Sequence, residues 1–200
     1  MSQPRTTTLA ATLWPHENTV LRGIVFAVVG SLLLTLAAKV KIPIEPVPVT
    51  LQVFVLLALA LTMGARLAAA TVLLYLAQGA TGLPVFTGTP EKGLGLVYML
   101  GGTGGYLIGF LIAATAVGWL ADRGFSHRVV LSFIAVIVGL IAIYVPGLLW
   151  LASLYGWDKP ILEWGFYPFI GPDLLKAALA ACLVPATWRL LSGGRKRDWG

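Results

Sequence analysis

Charged residues, histidine and cysteine are scarce in this sequence. Asp, Glu, Lys and Arg together make up 11% of the 200 residues, and the chain has two histidines and one cysteine. The lone Cys182 has no second cysteine for a disulfide or a thiolate metal site. No Ser/His/Asp or Cys/His set is present for nucleophilic catalysis. We therefore expect no catalytic residue, no metal site and no cofactor.

Apolar residues, by contrast, are abundant. They account for 58% of the chain, and the mean hydropathy is +0.88, which excludes an ordinary soluble domain and predicts a multi-pass membrane protein. The net charge of +6 comes from basic residues that stand singly between apolar runs or in a short tail. They indicate orientation in the lipid bilayer, so no nucleic-acid partner is expected.

The apolar runs predict a single membrane domain over residues 21–191. A polar cytoplasmic segment, residues 1–20, precedes it, and a basic cytoplasmic tail, residues 192–200, follows it. Residues 51–77 form one helix or two, and a single helix would place Arg66 near the bilayer centre, where a charge is costly. We choose two spans, broken at residues 63–66. Six transmembrane helices result: 21–38, the two within 51–77, 94–121, 129–155 and 167–191.

Positive charges set the expected orientation. An even number of spans puts both termini on one side of the membrane. Nine basic residues lie on that side: Arg5, Arg22, Arg66, Arg123, Arg128, Arg189, Arg195, Lys196 and Arg197. Four lie on the other side: Lys39, Lys41, Lys92 and Lys159. The positive-inside rule makes the nine-residue side cytoplasmic, in a bacterial inner membrane. A five-span alternative of reversed orientation places eight basic residues on the cytoplasmic side and four on the other side.

Two segments between the spans are rich in helix-breaking residues. Residues 39–50 contain Pro43, Pro46 and Pro48, which favour a loop or short hairpin, and residues 79–96 are rich in glycine and proline. Both fall on the outer side. The predicted fold is thus an all-α membrane protein, a bundle of six transmembrane helices with non-helical outer loops capping a ligand pocket.

Small residues recur at every fourth position in two spans. Such stripes let helix backbones approach closely in lipid. The stripe in the first span serves either internal packing or docking of a separate membrane subunit, and the stripe after the second loop predicts close helix contact. The two stripes are Gly23, Ala27, Ser31 and Thr35, and Gly101, Gly105, Gly109 and Ala113.

An ionisable pair lies within the last span. Asp173 and Lys176 are three residues apart and share one face of a helix. Charges at this depth mark either a ligand site or a structural ion pair, and the residues alone leave both readings open. If the helix starts near Pro172, Asp173 lies in its first turn, where the helix dipole favours an anion.

The other candidate site residues are neutral. They comprise hydroxyl, amide and aromatic side chains near the loops, a set that suits a small ligand with a neutral polar head and apolar parts. We select Thr50, Gln52, Phe86, Thr87 and Tyr106.

Four motifs carry a family resemblance. VPVTLQ (47–52), GLPVF (82–86), TGGYLIGF (103–110) and PFIGPDLLKAALA (168–180) resemble, in order and spacing, the BioY proteins, the biotin-binding S components of energy-coupling-factor (ECF) vitamin transporters. The resemblance spans residues 20–191. It departs from the family pattern at Gly102 and at TGTPEKG (87–93).

The resemblance implies both a ligand and partners. The ligand would be biotin, with Asp173 at its ureido N–H groups and Lys176 at its ureido oxygen or its carboxylate. Phe86 or Tyr106 would lie against its thioether ring, and the glycine-rich segment, Thr87 or Lys92 near its carboxylate. The partners would be a transmembrane coupling subunit, docked on Gly23, Ala27 and Ser31, and two ATP-binding-cassette ATPases.

Three rival readings remain. The chain could be an S component for another vitamin, a small membrane enzyme that uses Asp173 as acid or base, or a structural membrane subunit without a ligand.

Overall fold

The computed structural model describes residues 8–13, 19–44, 46–91 and 93–191. Helices dominate these residues, together with one short antiparallel hairpin and a 3-10 turn at Phe125–His127. In chain order the elements are α1 (Leu9–Leu13), α2 (Thr19–Lys39), β1 (Lys41–Ile42), β2 (Val49–Thr50), α3 (Gln52–Met63), α4 (Ala65–Ala80), α5 (Gly95–Met99), α6 (Gly104–Asp122), α7 (Val129–Tyr155), α8 (Ile161–Gly165) and α9 (Tyr167–Leu191).

Four stretches of the described residues are helical, long and apolar enough to cross a membrane. They are Val20–Lys39, Gly104–Asp122, Val129–Tyr155 and Ile161–Leu190. The other two predicted spans, α3 and α4, have 12 and 16 residues. At 1.5 Å per residue they reach about 18 and about 24 Å, short of a hydrocarbon layer of about 30 Å.

The break between α3 and α4 is confirmed. It falls at Gly64, whose φ of 78° lies in the left-handed region that favours glycine. The next span starts later than predicted, because Gly95–Met99 forms a separate short helix and α6 begins only at Gly104. The predicted start at residue 94 is therefore wrong.

The last two predicted spans coincide with α7 and α9. The alternative start near Pro172 is excluded, since α9 begins at Tyr167, as the predicted span does, and runs through Pro172. Pro168 stands in the first turn, where a missing N–H removes no helical hydrogen bond. Asp173 therefore lies beyond the first turn, and the helix dipole does not explain its charge.

The proline-rich segment after α2 forms the predicted hairpin. Lys41 pairs with Thr50 and Ile42 with Val49, and the Leu51 N–H donates to the Val40 carbonyl at 3.1 Å. Val47 and Val49 are buried. The hairpin thus presents one apolar face to the helices.

Glycines hold α6 close to α7. A Cβ atom added at Gly109 would lie 2.8 Å from the Ile143 Cα and carbonyl oxygen, a distance that real Cβ contacts do not show. Gly105 likewise faces Trp150 and the Pro146 carbonyl. Gly101 precedes α6, so the contact stripe consists of Gly105, Gly109 and Ala113.

Replacing Gly109 by alanine should destabilise the fold. The added methyl meets backbone atoms, which cannot rotate away, and overpacking of this kind costs about 1–3 kcal/mol. Gly171→Ala is the matched control, because nothing lies within 4 Å of the corresponding Cβ position. We expect thermal unfolding in detergent to shift down for Gly109→Ala only, and equal midpoints for both variants would contradict the close contact.

The small-residue stripe of α2 lies partly inside the chain. Ala27 and Ser31 are buried, and the Ser31 hydroxyl donates to the Val28 carbonyl at 2.9 Å and accepts from Gln78 Nε2 at 3.4 Å. Gly23, by contrast, has open space around its Cβ position. For Ala27 and Ser31 the structure favours internal packing, and docking stays a prediction that Gly23 can test.

Candidate functional site

A partly open cavity lies between helices α3, α4, α6, α7 and α9, next to the hairpin. Its volume is about 60 Å³, room for a few waters. Most of its wall is aromatic or aliphatic. The aromatic residues are Tyr75, Phe86, Tyr98, Tyr106, Phe110, Tyr144 and Phe169, and the polar ones outside this set are Thr50, Gln52, Thr87, Thr103 and Asp173.

Asp173 is the charged residue of this wall. It is 3% exposed, and each carboxylate oxygen has a donor. Lys176 Nζ lies 2.8 Å from Oδ1, and the Tyr144 hydroxyl donates to Oδ2 at 2.8 Å. Because a carboxylate oxygen accepts more than one hydrogen bond, Asp173 keeps acceptor capacity toward the cavity.

Lys176 lies behind Asp173. It does not line the cavity, and its side chain is 14% exposed. Its ammonium group donates to Asp173 and, at 2.6 Å, to the backbone carbonyl of Thr50. Lys176 therefore links α9 to the second strand of the hairpin while neutralising the carboxylate.

Gln52 connects several elements around the cavity. Its Nε2 donates to the Tyr75 hydroxyl at 2.7 Å and to the Leu34 carbonyl at 3.4 Å. Its Oε1 accepts from the Thr50 hydroxyl at 3.4 Å and lies 3.4 Å from the Thr87 hydroxyl oxygen, whose single proton makes the shorter bond to the Ala38 carbonyl. The amide of Gln52 thus joins α3 to α4 and to α2, and it also contacts the hairpin and the segment that contains Thr87.

Phe86 forms an apolar part of the wall. Its ring stacks on Tyr98 at a centroid distance of 4.9 Å and meets the Tyr75 ring edge-on at 5.4 Å. Gly79 makes room for it, since a Cβ there would collide with the ring. Thr87, the next residue, donates from its hydroxyl to the Ala38 carbonyl at 2.9 Å.

Tyr106 and Tyr144 form a second aromatic group. Their rings meet edge-on at 6.5 Å, and Tyr144 makes a similar contact with Phe166 at 5.1 Å. The Tyr106 hydroxyl donates to the Gly165 carbonyl at 2.8 Å. These contacts fix the position of the Tyr144 ring, whose hydroxyl donates to Asp173.

The structure gathers six of the seven predicted ligand residues into one cavity wall, and Lys176 contacts that wall from behind. Lys92 lies outside the described residues. Sequence reasoning missed Tyr75, Tyr98 and Tyr144 as site residues. A tyrosine inside an apolar helix could have indicated such a site, because its buried hydroxyl needs a polar partner.

This arrangement is suited to binding a small molecule. Aromatic and aliphatic walls accommodate apolar rings, while a carboxylate, an amide and three hydroxyls from threonine can align polar groups. Within the described parts of the chain, no three His, Cys, Asp or Glu side chains are grouped to hold a metal ion.

A multi-pass helical protein with an aromatic-lined cavity beside a buried ion pair falls in the class of membrane proteins that hold a small ligand inside a helix bundle. The family model described as "BioY family" matches residues 6–193. The chain belongs to the BioY family, as its motifs predict.

Curated relatives agree with this assignment. A probable biotin transporter BioY of Pyrococcus horikoshii is 38% identical over 152 residues, which cover 76% of this chain and 87% of that relative. Biotin transporter BioY2 of Lactococcus lactis is 34% identical over 181 residues, 90% of this chain and 97% of the relative.

A solved structure shares the fold. The S-component for biotin from an ECF-type ABC transporter, solved at 2.1 Å, matches with a TM-score of 0.74 over 87% of this chain and 94% of that chain, at 24% sequence identity. The likeness establishes the S-component fold for this chain.

Proposed function

We propose that this protein takes up biotin as the substrate-binding S component of an ECF-type ABC transporter. The observation that carries the proposal is the buried Asp173–Lys176 pair, 2.8 Å apart, beside an aromatic-lined cavity. Family membership and the names of the curated relatives support the same ligand. The protein acts in transport and is not an enzyme.

The polar groups of biotin match those of the cavity. Its ureido ring has two N–H donors and a carbonyl acceptor, and its thioether ring is apolar. We assign the ureido N–H groups to the Asp173 carboxylate and the thioether ring to Phe86 or Tyr106. The ureido carbonyl is assigned to Gln52 or Thr87, whose hydrogens would then leave their present acceptors. Lys176 reaches the ureido oxygen or the ligand's carboxylate only if it leaves the Thr50 carbonyl.

Entry of biotin requires the cavity to enlarge. A volume of about 60 Å³ holds a few waters and not a bicyclic molecule with a side chain. The hairpin and the segment that contains Phe86 and Thr87 are the non-helical parts of the wall. We therefore assign ligand entry to movement of these two segments on the outer side.

We extend the proposal to topology. Helices α3 and α4 act as two short spans, which makes six, and both termini are cytoplasmic in a bacterial inner membrane. The segments 1–20 and 192–200 would flank the membrane domain, although residues 1–7, 14–18 and 192–200 lie outside the described residues. Hydropathy and the distribution of basic residues support this arrangement.

Titration of the purified protein with biotin tests the function directly. We expect saturable binding in detergent or nanodiscs, and a lack of it would refute the proposal. Binding of a different vitamin in place of biotin would indicate another S component. Turnover of a lipid would indicate an enzyme, and assembly without any ligand would indicate a structural subunit.

The proposed partners are a transmembrane coupling subunit and two ATP-binding-cassette ATPases. The sequence contains no Walker motif, so ATP hydrolysis has to come from other chains. Gly23 is the suitable position for a docking test, because Ala27 and Ser31 are buried and larger residues there would disturb internal packing.

We expect Gly23→Leu to reduce co-purification with co-expressed coupling partners at least several-fold while biotin binding stays unchanged. A Cβ atom at position 23 meets no atom of the described residues within 4 Å, so we expect the fold to tolerate the substitution. Val29→Leu, on an exposed part of the same helix, is the control. Full co-purification of Gly23→Leu would remove Gly23 from the docking surface.

A further inference from the structure

The wall segment, residues 84–89, is attached to the end of α2. Thr87 contacts the Ala38 carbonyl at 2.9 Å. The next residue of α2, Lys39, reaches the same segment with its ammonium group, which donates to the Phe86 carbonyl at 2.9 Å and to Thr89 Oγ1 at 3.2 Å. The Thr89 carbonyl lies 3.5 Å from the same nitrogen. An ammonium group has three donors, so this one segment can satisfy all of them.

These contacts concentrate on the residue that shapes the cavity. The Phe86 carbonyl accepts from Lys39 and also from the Thr89 hydroxyl, at 2.7 Å. The Phe86 ring and the Thr87 side chain form part of the cavity wall, whereas Lys39 does not line the cavity. Lys39 therefore acts on the wall from outside, through the backbone of the wall segment.

We propose that Lys39 is a positioning residue that holds the wall segment closed over the ligand and so limits the rate of ligand release. Phe86, Thr87 and Thr89 are each buried, at 1%, 4% and 7% exposure. Moving the segment away from α2 would break the Lys39 contacts and expose the cavity. The idea rests on the proposed function for the identity of the ligand.

Lys39→Met tests the proposal, and Lys41→Met is its matched control. Lys41 is an exposed lysine two residues away, on the hairpin. With protein loaded with labelled biotin and chased with excess unlabelled biotin, we expect release about tenfold faster for Lys39→Met and unchanged for Lys41→Met, since hydrogen bonds of a charged group are lost. Equal release rates in both variants would overturn the proposal.

A second variant removes the partner instead of the lysine. Thr89→Val loses the hydroxyl that accepts from Lys39 and donates to Phe86. We expect faster release in this variant as well, and wild-type release from Thr89→Val would contradict the role of these contacts.

Two further measurements separate the possible causes of faster release. Hydrogen exchange of residues 84–89 in ligand-free protein should be faster in Lys39→Met than in Lys41→Met, and this readout stands even if biotin is not the ligand. With a neutral biotin amide, the acceleration should equal that for biotin. An effect confined to biotin itself would instead make Lys39 a direct partner of the ligand's carboxylate and would overturn the positioning role.

Discussion

Replacing Asp173 by asparagine is expected to weaken biotin binding by about 2–3 kcal/mol, or about 30- to 150-fold. Asparagine has nearly the same shape, but it exchanges one carboxylate oxygen for an amide donor. A ureido N–H facing that side would lose its acceptor. Because Asp173 is 3% exposed, bulk water does not replace the lost acceptor.

The measurement is a calorimetric or fluorescence titration of purified protein, normalised to the folded fraction. Asp158→Asn is the matched control, because Asp158 forms its ion pair with Lys159 on the surface, where its side chain is 76% exposed. Unchanged biotin affinity in Asp173→Asn would remove Asp173 from the ligand site and favour a structural ion pair.

Lys176→Met is expected to lower stability by about 3–5 kcal/mol, the effect of leaving a buried charge without its partner. The Asp173 carboxylate would keep only the Tyr144 hydroxyl as a donor. The hairpin would also lose the link from the Thr50 carbonyl to α9. We therefore expect weaker biotin binding together with a lower midpoint of thermal unfolding.

A double variant distinguishes the loss of the pair from the loss of each residue. Asp173→Asn combined with Lys176→Met removes both charges, so it should unfold at a higher temperature than Lys176→Met alone. Lys159→Met, at an ion pair that is largely exposed, should leave stability unchanged. Additive destabilisation in the double variant would show that the two charges do not compensate each other in the fold.

These two predictions separate the readings that the sequence leaves open. If the pair is only structural, the variants should change stability, while the folded fraction binds biotin with unaltered affinity. A ligand site requires Asp173→Asn to lose affinity even where the protein stays folded. The aromatic cavity next to Asp173 favours the second outcome.

Several local features of the fold are determined by the sequence alone. The ends of α7 and α9, the break at Gly64 and the short hairpin after α2 all follow from hydropathy and from glycine and proline positions. These signals act over a few residues, through burial in lipid or restriction of the backbone, so they need no partner from elsewhere in the chain. The motifs likewise suffice for the BioY family.

The continuation of α9 through Pro172 and the partners of Asp173 depend on more than local pattern. Proline is common in the first turn of a helix, so Pro172 alone would favour a start there, yet α9 begins at Tyr167 and continues through Pro172. The charge of Asp173 is then stabilised by Tyr144, which is 29 residues away, and not by the helix dipole. A proline in the sequence cannot reveal which neighbours will favour continuation of the helix.

Only the tertiary structure decided which side chains meet at the cavity. Lys176 contacts the Thr50 carbonyl across 126 residues, and Lys39 contacts the Phe86 carbonyl across 47. Both acceptors are backbone atoms, which every residue type carries, so the sequence contains no signal for them. The sequence therefore determined the membrane class, the family and the identity of the buried pair. The fold decided that Asp173 faces the cavity while Lys176 and Lys39 hold its two non-helical walls, because those contacts depend on how distant segments pack.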